Sequence, residues 1–147
     1  MKFFLVLAAV LFSFQVVMAN ESHHHHHEEK KALSLNHGKK WEVDAVMKKN
    51  MDAIHDKFKV VHNLVKTKKA TDKDYSSLAS VISYSAQDIA SNCKMGPKAD
   101  ETFHVILNDL FAISDDLNKS GKADSALKKL HHALSTYSKY FSHSFKD

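Results

Sequence analysis

Between residues 41 and 141 apolar side chains return every three or four positions, and the only breakers in that span are Gly96-Pro97 and Gly121. A sheet fold needs more turns than that, whereas this spacing draws one apolar stripe down each of several helices. The first stripe is Met47, Met51, Ile54, Phe58, Val61 and Val65, and the second is Tyr75, Leu78, Ile82, Ala86, Ile89 and Cys93. The third is Phe103, Ile106, Leu110, Ile113 and Leu117, with His104, Leu107 and Phe111 on the stripe beside it. The fourth is Leu127, Leu130, Leu134, Tyr137 and Phe141.

The punctuation between stripes agrees with this division. Residues 33–40 read as the approach to the first helix, with Asn36 a candidate cap and Gly38 a flexible point. Thr71 and Asp74 have the spacing of a capping box ahead of the second helix. Pro97 suits the first turn of the third helix, where its missing N–H costs nothing, and Ser120-Gly121 stops that helix. Four amphipathic helices with short connections predict an all-α, antiparallel, up-down-up-down four-helix bundle. No strand-like alternation or internal repeat competes with it.

The amino terminus supplies an address. Lys2, the apolar run 3–14, and small residues at Val17 and Ala19 make residues 1–19 a secretory signal peptide. The expected location is therefore the periplasm, and no later apolar run is long enough to span a membrane. Residues 20–35 lack apolar periodicity and are expected to be a disordered arm, with residues 36–147 forming the bundle. The arm carries His23, His24, His25, His26 and His27, directly behind an intact leader where an engineered tag would be out of place. It reads as a natural tract that gathers Cu(II), Zn(II) or Ni(II). The formal charge of +4 is spread among acidic residues, so no nucleic-acid footprint is indicated.

One cysteine cannot close an internal disulfide, so in an oxidising compartment Cys93 should be buried, bound to something or used to link a homodimer. The up-down topology brings the start of helix one, the end of two, the start of three and the end of four to one pole. Met47 and Met51, Cys93, His104 and His143 belong to those four places. Counted along the axis they spread over roughly 12 Å, so the terminal turns would have to bend inward to form one site. Thiolate, imidazole and thioether together suit copper, and zinc has little use for the methionine. Each residue also has a plain reading: core-filling methionine, inert buried thiol, capped histidine.

Other chemistries find little support. There is no glycine-rich phosphate loop, nucleophile elbow or His-Glu-x-x-His, so an enzyme is not expected. His55 and His62 read as flank or surface residues. Asp115-Asp116 reads as a solvated pair at the far end of helix three, and tandem His131-His132 can turn at most one ring inward.

The segment Asn50-Met51-Asp52-Ala53-Ile54-His55-Asp56-Lys57-Phe58 resembles the first helix of the cytochrome b562 family, and Ile113…Asp115-Asp116-Leu117…Gly121-Lys122 resembles that family's third-to-fourth connection. The likeness extends loosely over residues 47–145. It implies Met51 as an axial haem ligand, with the partner histidine expected at Phe141; His143 lies two residues later and roughly 200° around a continuing helix. No Cys-x-x-Cys-His occurs, which excludes c-type attachment. Trp41…Asp44…Met51, Asn92-Cys93-Lys94…Asp100…His104 and Tyr140-Phe141-Ser142-His143 look like a group of small exported bacterial proteins of cytochrome b562-like fold. That resemblance implies a metal-related periplasmic role with Met51, Cys93, His104 and His143 as the matching positions.

The expectation is a periplasmic copper-binding bundle for binding, carriage or electron transfer, its single ion held by Met51, Cys93, His104 and His143. The alternatives are a b-type haem carrier using Met51 and His143, and a cofactor-free structural or partner-binding bundle.

Overall fold

The computed structural model describes residues 33–145; residues 1–32, with the expected signal peptide and the histidine run, and the last two residues lie outside the described part. Four helices follow one another: α1 (Ala45–Lys66), α2 (Asp72–Asn92), α3 (Pro97–Leu117) and α4 (Ala123–Tyr140). Among the described residues there is no strand beyond two isolated bridges. No helix there is long and apolar enough to cross a membrane.

Contacts between neighbours fix the directions. Asn50, early in α1, donates to Asp88, late in α2, at 2.7 Å. Ser114, late in α3, donates to the carbonyl of Ala79, early in α2, at 2.9 Å. Phe103, early in α3, packs edge-on against Tyr137, late in α4. Each helix therefore runs against its predecessor, and the molecule is an antiparallel four-helix bundle. The three sequential pairs pack along their length, while α1 and α4 touch much less.

The stripes face the common core. Met47, Met51, Ile54, Val61, Leu78, Ile82, Ala86, Ile106, Leu110, Leu130, Tyr137 and Phe141 are all fully buried. Each large side chain of that set contributes about 1.5–3 kcal/mol relative to exposure. Two of the polar groups admitted to the interior are tied down: Asn50 Nδ2 reaches the Val46 carbonyl as well as Asp88, and Ser114 spans to α2. The caps form as read. Asp74 accepts the N–H and hydroxyl of Thr71 at 2.9 and 2.6 Å, and Pro97 is the first residue of α3.

Two local features differ from expectation. The first helix starts at Ala45, not after an Asn36 cap, and its N-cap is Asp44, which accepts Met47 N–H at 2.8 Å. Asn36 instead opens a tight turn closed by reciprocal backbone bonds with Lys39 at 2.8 and 2.9 Å. His37 (φ 49) and Gly38 (φ 83) supply the two successive left-handed residues that such a two-residue turn demands. Asp116 is not a solvated acid: its carboxylate meets Lys119, Lys122 and Lys129 and is 15 % exposed, whereas Asp115 is exposed.

The chain after α4 also departs from a straight helix. Phe141 takes extended geometry and pairs with Trp41. Trp41 N–H donates to the Tyr140 carbonyl and Ser142 N–H to the Trp41 carbonyl, each at 2.8 Å. Trp41 Nε1 donates to the Ser34 carbonyl at 2.7 Å, and the Ser34 hydroxyl lies 3.3 Å from that of Thr102 in α3. Residues 34–41 thus strap the pole where α1 begins and α4 ends. Phe141, stacked on Tyr137 and edge-on to Phe103, fills the space beneath. Phe141→Ala should cost about 3–5 kcal/mol in chemical denaturation, whereas Tyr84→Ala, at a 67 % exposed ring, should cost little.

Candidate functional site

Asp44 joins two elements at the strapped pole. One carboxylate oxygen caps α1 through Met47 N–H, and the other accepts Lys94 N–H at 2.7 Å, just beyond α2. Cys93 is the C-cap of α2, with φ −69 and ψ 138, so the chain leaves the helix there and its half-buried thiol comes against the Asp44 carboxylate. Burial works to raise the Asp44 carboxyl, but bonds from Met47, Lys94 and the Cys93 thiol outweigh it and hold the group below its ordinary value. The thiol responds in the opposite sense. Burial first, then the bond to Asp44 and the charges of Asp44 and Asp100, push Cys93 from 9.0 to about 12. Its sulfur holds its proton at neutral pH in an acidic corner.

His104 stands about two turns into α3. Its Nδ1 lies 2.9 Å from the Asp100 carbonyl, which can only accept, so Nδ1 carries a proton and Nε2 is the nitrogen left for other partners. The Asp100 carboxylate is 3.4 Å from the same nitrogen, and its charge reaches Cys93. A carbonyl holding one imidazole nitrogen while the other is left as a donor atom is the usual outer-shell support of a metal-ligating histidine. The ring is half-exposed.

His143 lies on the other side of the pole. Because α4 ends at Tyr140, the chain folds back over α1 and sets His143 Nε2 3.2 Å from Asp52, the residue after Met51. Its Nδ1 is 3.0 Å from the Tyr137 phenol. Tyr137 is fully buried and stands between the two groups. Burial, then the charges of Asp52, Cys93 and Asp44, push its phenol well above the ordinary range.

Each of the residues singled out from the sequence thus has its own acidic neighbour: Cys93 meets Asp44, His104 meets Asp100, and His143 meets Asp52, the residue after Met51. Met47 and Met51 are fully enclosed in the core. No three His, Cys, Asp or Glu side chains are already assembled to hold a metal among the described residues. The run of residues 23–27 lies outside them. Sequence reasoning missed the supporting groups Asp44, Asp52, Asp100 and Tyr137. The signal for Asp44 was present, since an aspartate three residues before the first buried methionine fits an N-cap.

A haem between Met51 and His143 fits this packing poorly. The position expected for its axial histidine is Phe141, whose ring is closed in by Tyr137 and Phe103. Comparison with protein-family models, with curated proteins and with solved structures finds no match to this chain.

The thiol chemistry makes a prediction. Alkylation of Cys93 by iodoacetamide at pH 8 should run at least about tenfold slower than for an ordinary thiol, and Asp44→Asn, which retains a capping side chain, should accelerate it. The folded thiol titrates above its ordinary 9.0, so the stability it contributes is complete below pH 9 and is lost as the pH rises toward 12. Urea midpoints measured from pH 8 to 11 should accordingly fall less steeply for Cys93→Ala.

Proposed function

We propose that this chain is a periplasmic copper-binding bundle that carries or buffers one ion, or passes its electron, and turns over no substrate. The observation that carries the reading is the corner where the Cys93 thiol meets the Asp44 carboxylate within the field of Asp100, the residue that also holds His104 Nδ1. A sulfur held between carboxylates favours a cation in place of its proton, and thiolate with imidazole selects copper. Cys93 and His104 are the primary donors. His143 joins by exchanging its Tyr137 bond for the ion, and Met51 supplies the weak thioether as its side chain turns toward the pole. The 23–27 histidines serve as an outer capture arm.

A relationship to cytochrome b562-like bundles belongs to the same proposal, supported by the helix order and by the inward methionine of α1. Between copper and haem, copper asks less of the packed pole. An ion needs a few ångströms between side chains, whereas a haem needs the Phe103–Tyr137–Phe141 rings moved aside.

The test is a Cu(I) titration against a competing chelator, using the exported chain with its five tract histidines replaced by serine, with and without Cys93→Ala. One tightly bound ion, weakened at least a hundredfold by Cys93→Ala, is expected. Equal and weak binding by both would leave a cofactor-free bundle, and a Soret band after expression with haem supply would establish haem instead.

A further inference from the structure

The seam between α1 and α4, which touch less than the sequential pairs do, carries imidazoles that the pole does not use. Two openings of about 490 and 170 Å³ lie along it, and Phe58 and His131 line both. Phe58 is 6 % exposed, so its ring is a fixed floor. His62 leans on that floor from α1, its ring centre 5.3 Å away, and His131 leans on it from α4 at 6.2 Å. Both histidines are exposed to solvent and both line the larger opening.

Their hydrogen bonding separates them from the other core-flanking histidines. His104 is engaged by Asp100, His143 by Asp52 and Tyr137, and His55 is stacked on Phe145 at 4.2 Å. Among the described residues, no hydrogen bond or ion pair occupies a ring nitrogen of His62 or His131. An ion arriving at this seam therefore displaces no existing bond. The shared contact with Phe58 also lowers the rotamer entropy lost on binding.

We propose that His62 and His131 form a bis-imidazole site for one Cu(II) ion, separate from the thiol pole. Imidazole without sulfur suits Cu(II), which binds nitrogen donors most tightly of the common divalent ions. With no third donor assembled there, water completes the coordination. Asp124 and Lys128 line the same opening with opposite charges, and the imidazoles supply the nitrogen donors.

The test uses the full exported chain with the 23–27 histidines replaced by serine and Cys93 by alanine, so that the tract and the thiol are both silent and failure here leaves the pole proposal untouched. One equivalent of Cu(II) is added and followed by pulsed electron paramagnetic resonance and by competition with glycine. Coupling from two imidazoles is expected, with His62→Ala and His131→Ala each weakening binding at least tenfold. His132→Ala, whose ring lines a different groove beside α3, should leave it unchanged. If His62→Ala and His131→Ala bind the first equivalent as tightly as His132→Ala does, the seam site is refuted. All three substitutions are at exposed positions, and far-ultraviolet circular dichroism checks that each variant folds.

Discussion

Trp41 exchanges two backbone hydrogen bonds with the chain leaving α4, one with Tyr140 and one with Ser142. These bonds tie the entrance of α1 to the exit of α4, the two helices that the connections leave untethered and that pack less against each other than the sequential pairs do. The rest of the pole follows from that tie. It stops α4 at Tyr140, turns Phe141 inward under the strap and sends His143 back across α1. A bundle without it would keep its core stripes but would open at the pole that carries Phe141 and His143.

The tie also explains why charge collects there. Asp44, Asp52 and Asp100 stand around a pole whose centre is the phenol of Tyr137 and whose rim is the thiol of Cys93. Acidic groups beside a half-buried sulfur keep that sulfur protonated in the metal-free protein. The arrangement suits a protein that holds a cation there, because the incoming charge meets carboxylates and leaves no uncompensated anion inside. The far end carries its own organising acid. Asp116 gathers three lysines and fixes the turn between α3 and α4 without any soft donor nearby.

Much of the scaffold was legible because helix periodicity is a local property. The four stripes, the Thr71–Asp74 box, Pro97 at the head of α3 and the left-handed Gly121 after it are each set by neighbours within a few residues. What was not legible depends on contacts across the chain. The count that placed His143 roughly 200° away from Phe141 assumed a continuing helix; the pairing with Trp41 ends the helix first and reverses the answer. Asp44 meets Cys93 and Lys94 only because α1 and α2 are antiparallel, and no local pattern announces that contact. The turn at Asn36–Lys39 was readable in principle, since Asn followed two residues later by Gly is common turn chemistry.

The central claim is that the sulfur of Cys93 is the anchor of a copper site at this pole. X-ray absorption at the copper edge, taken on the exported chain lacking the 23–27 histidines and loaded with one equivalent of Cu(I), addresses it directly. The account predicts sulfur in the first coordination shell together with imidazole scattering, and loss of the thiolate distance in Cys93→Ser. A shell of nitrogen and oxygen alone, unchanged by that substitution, would contradict it.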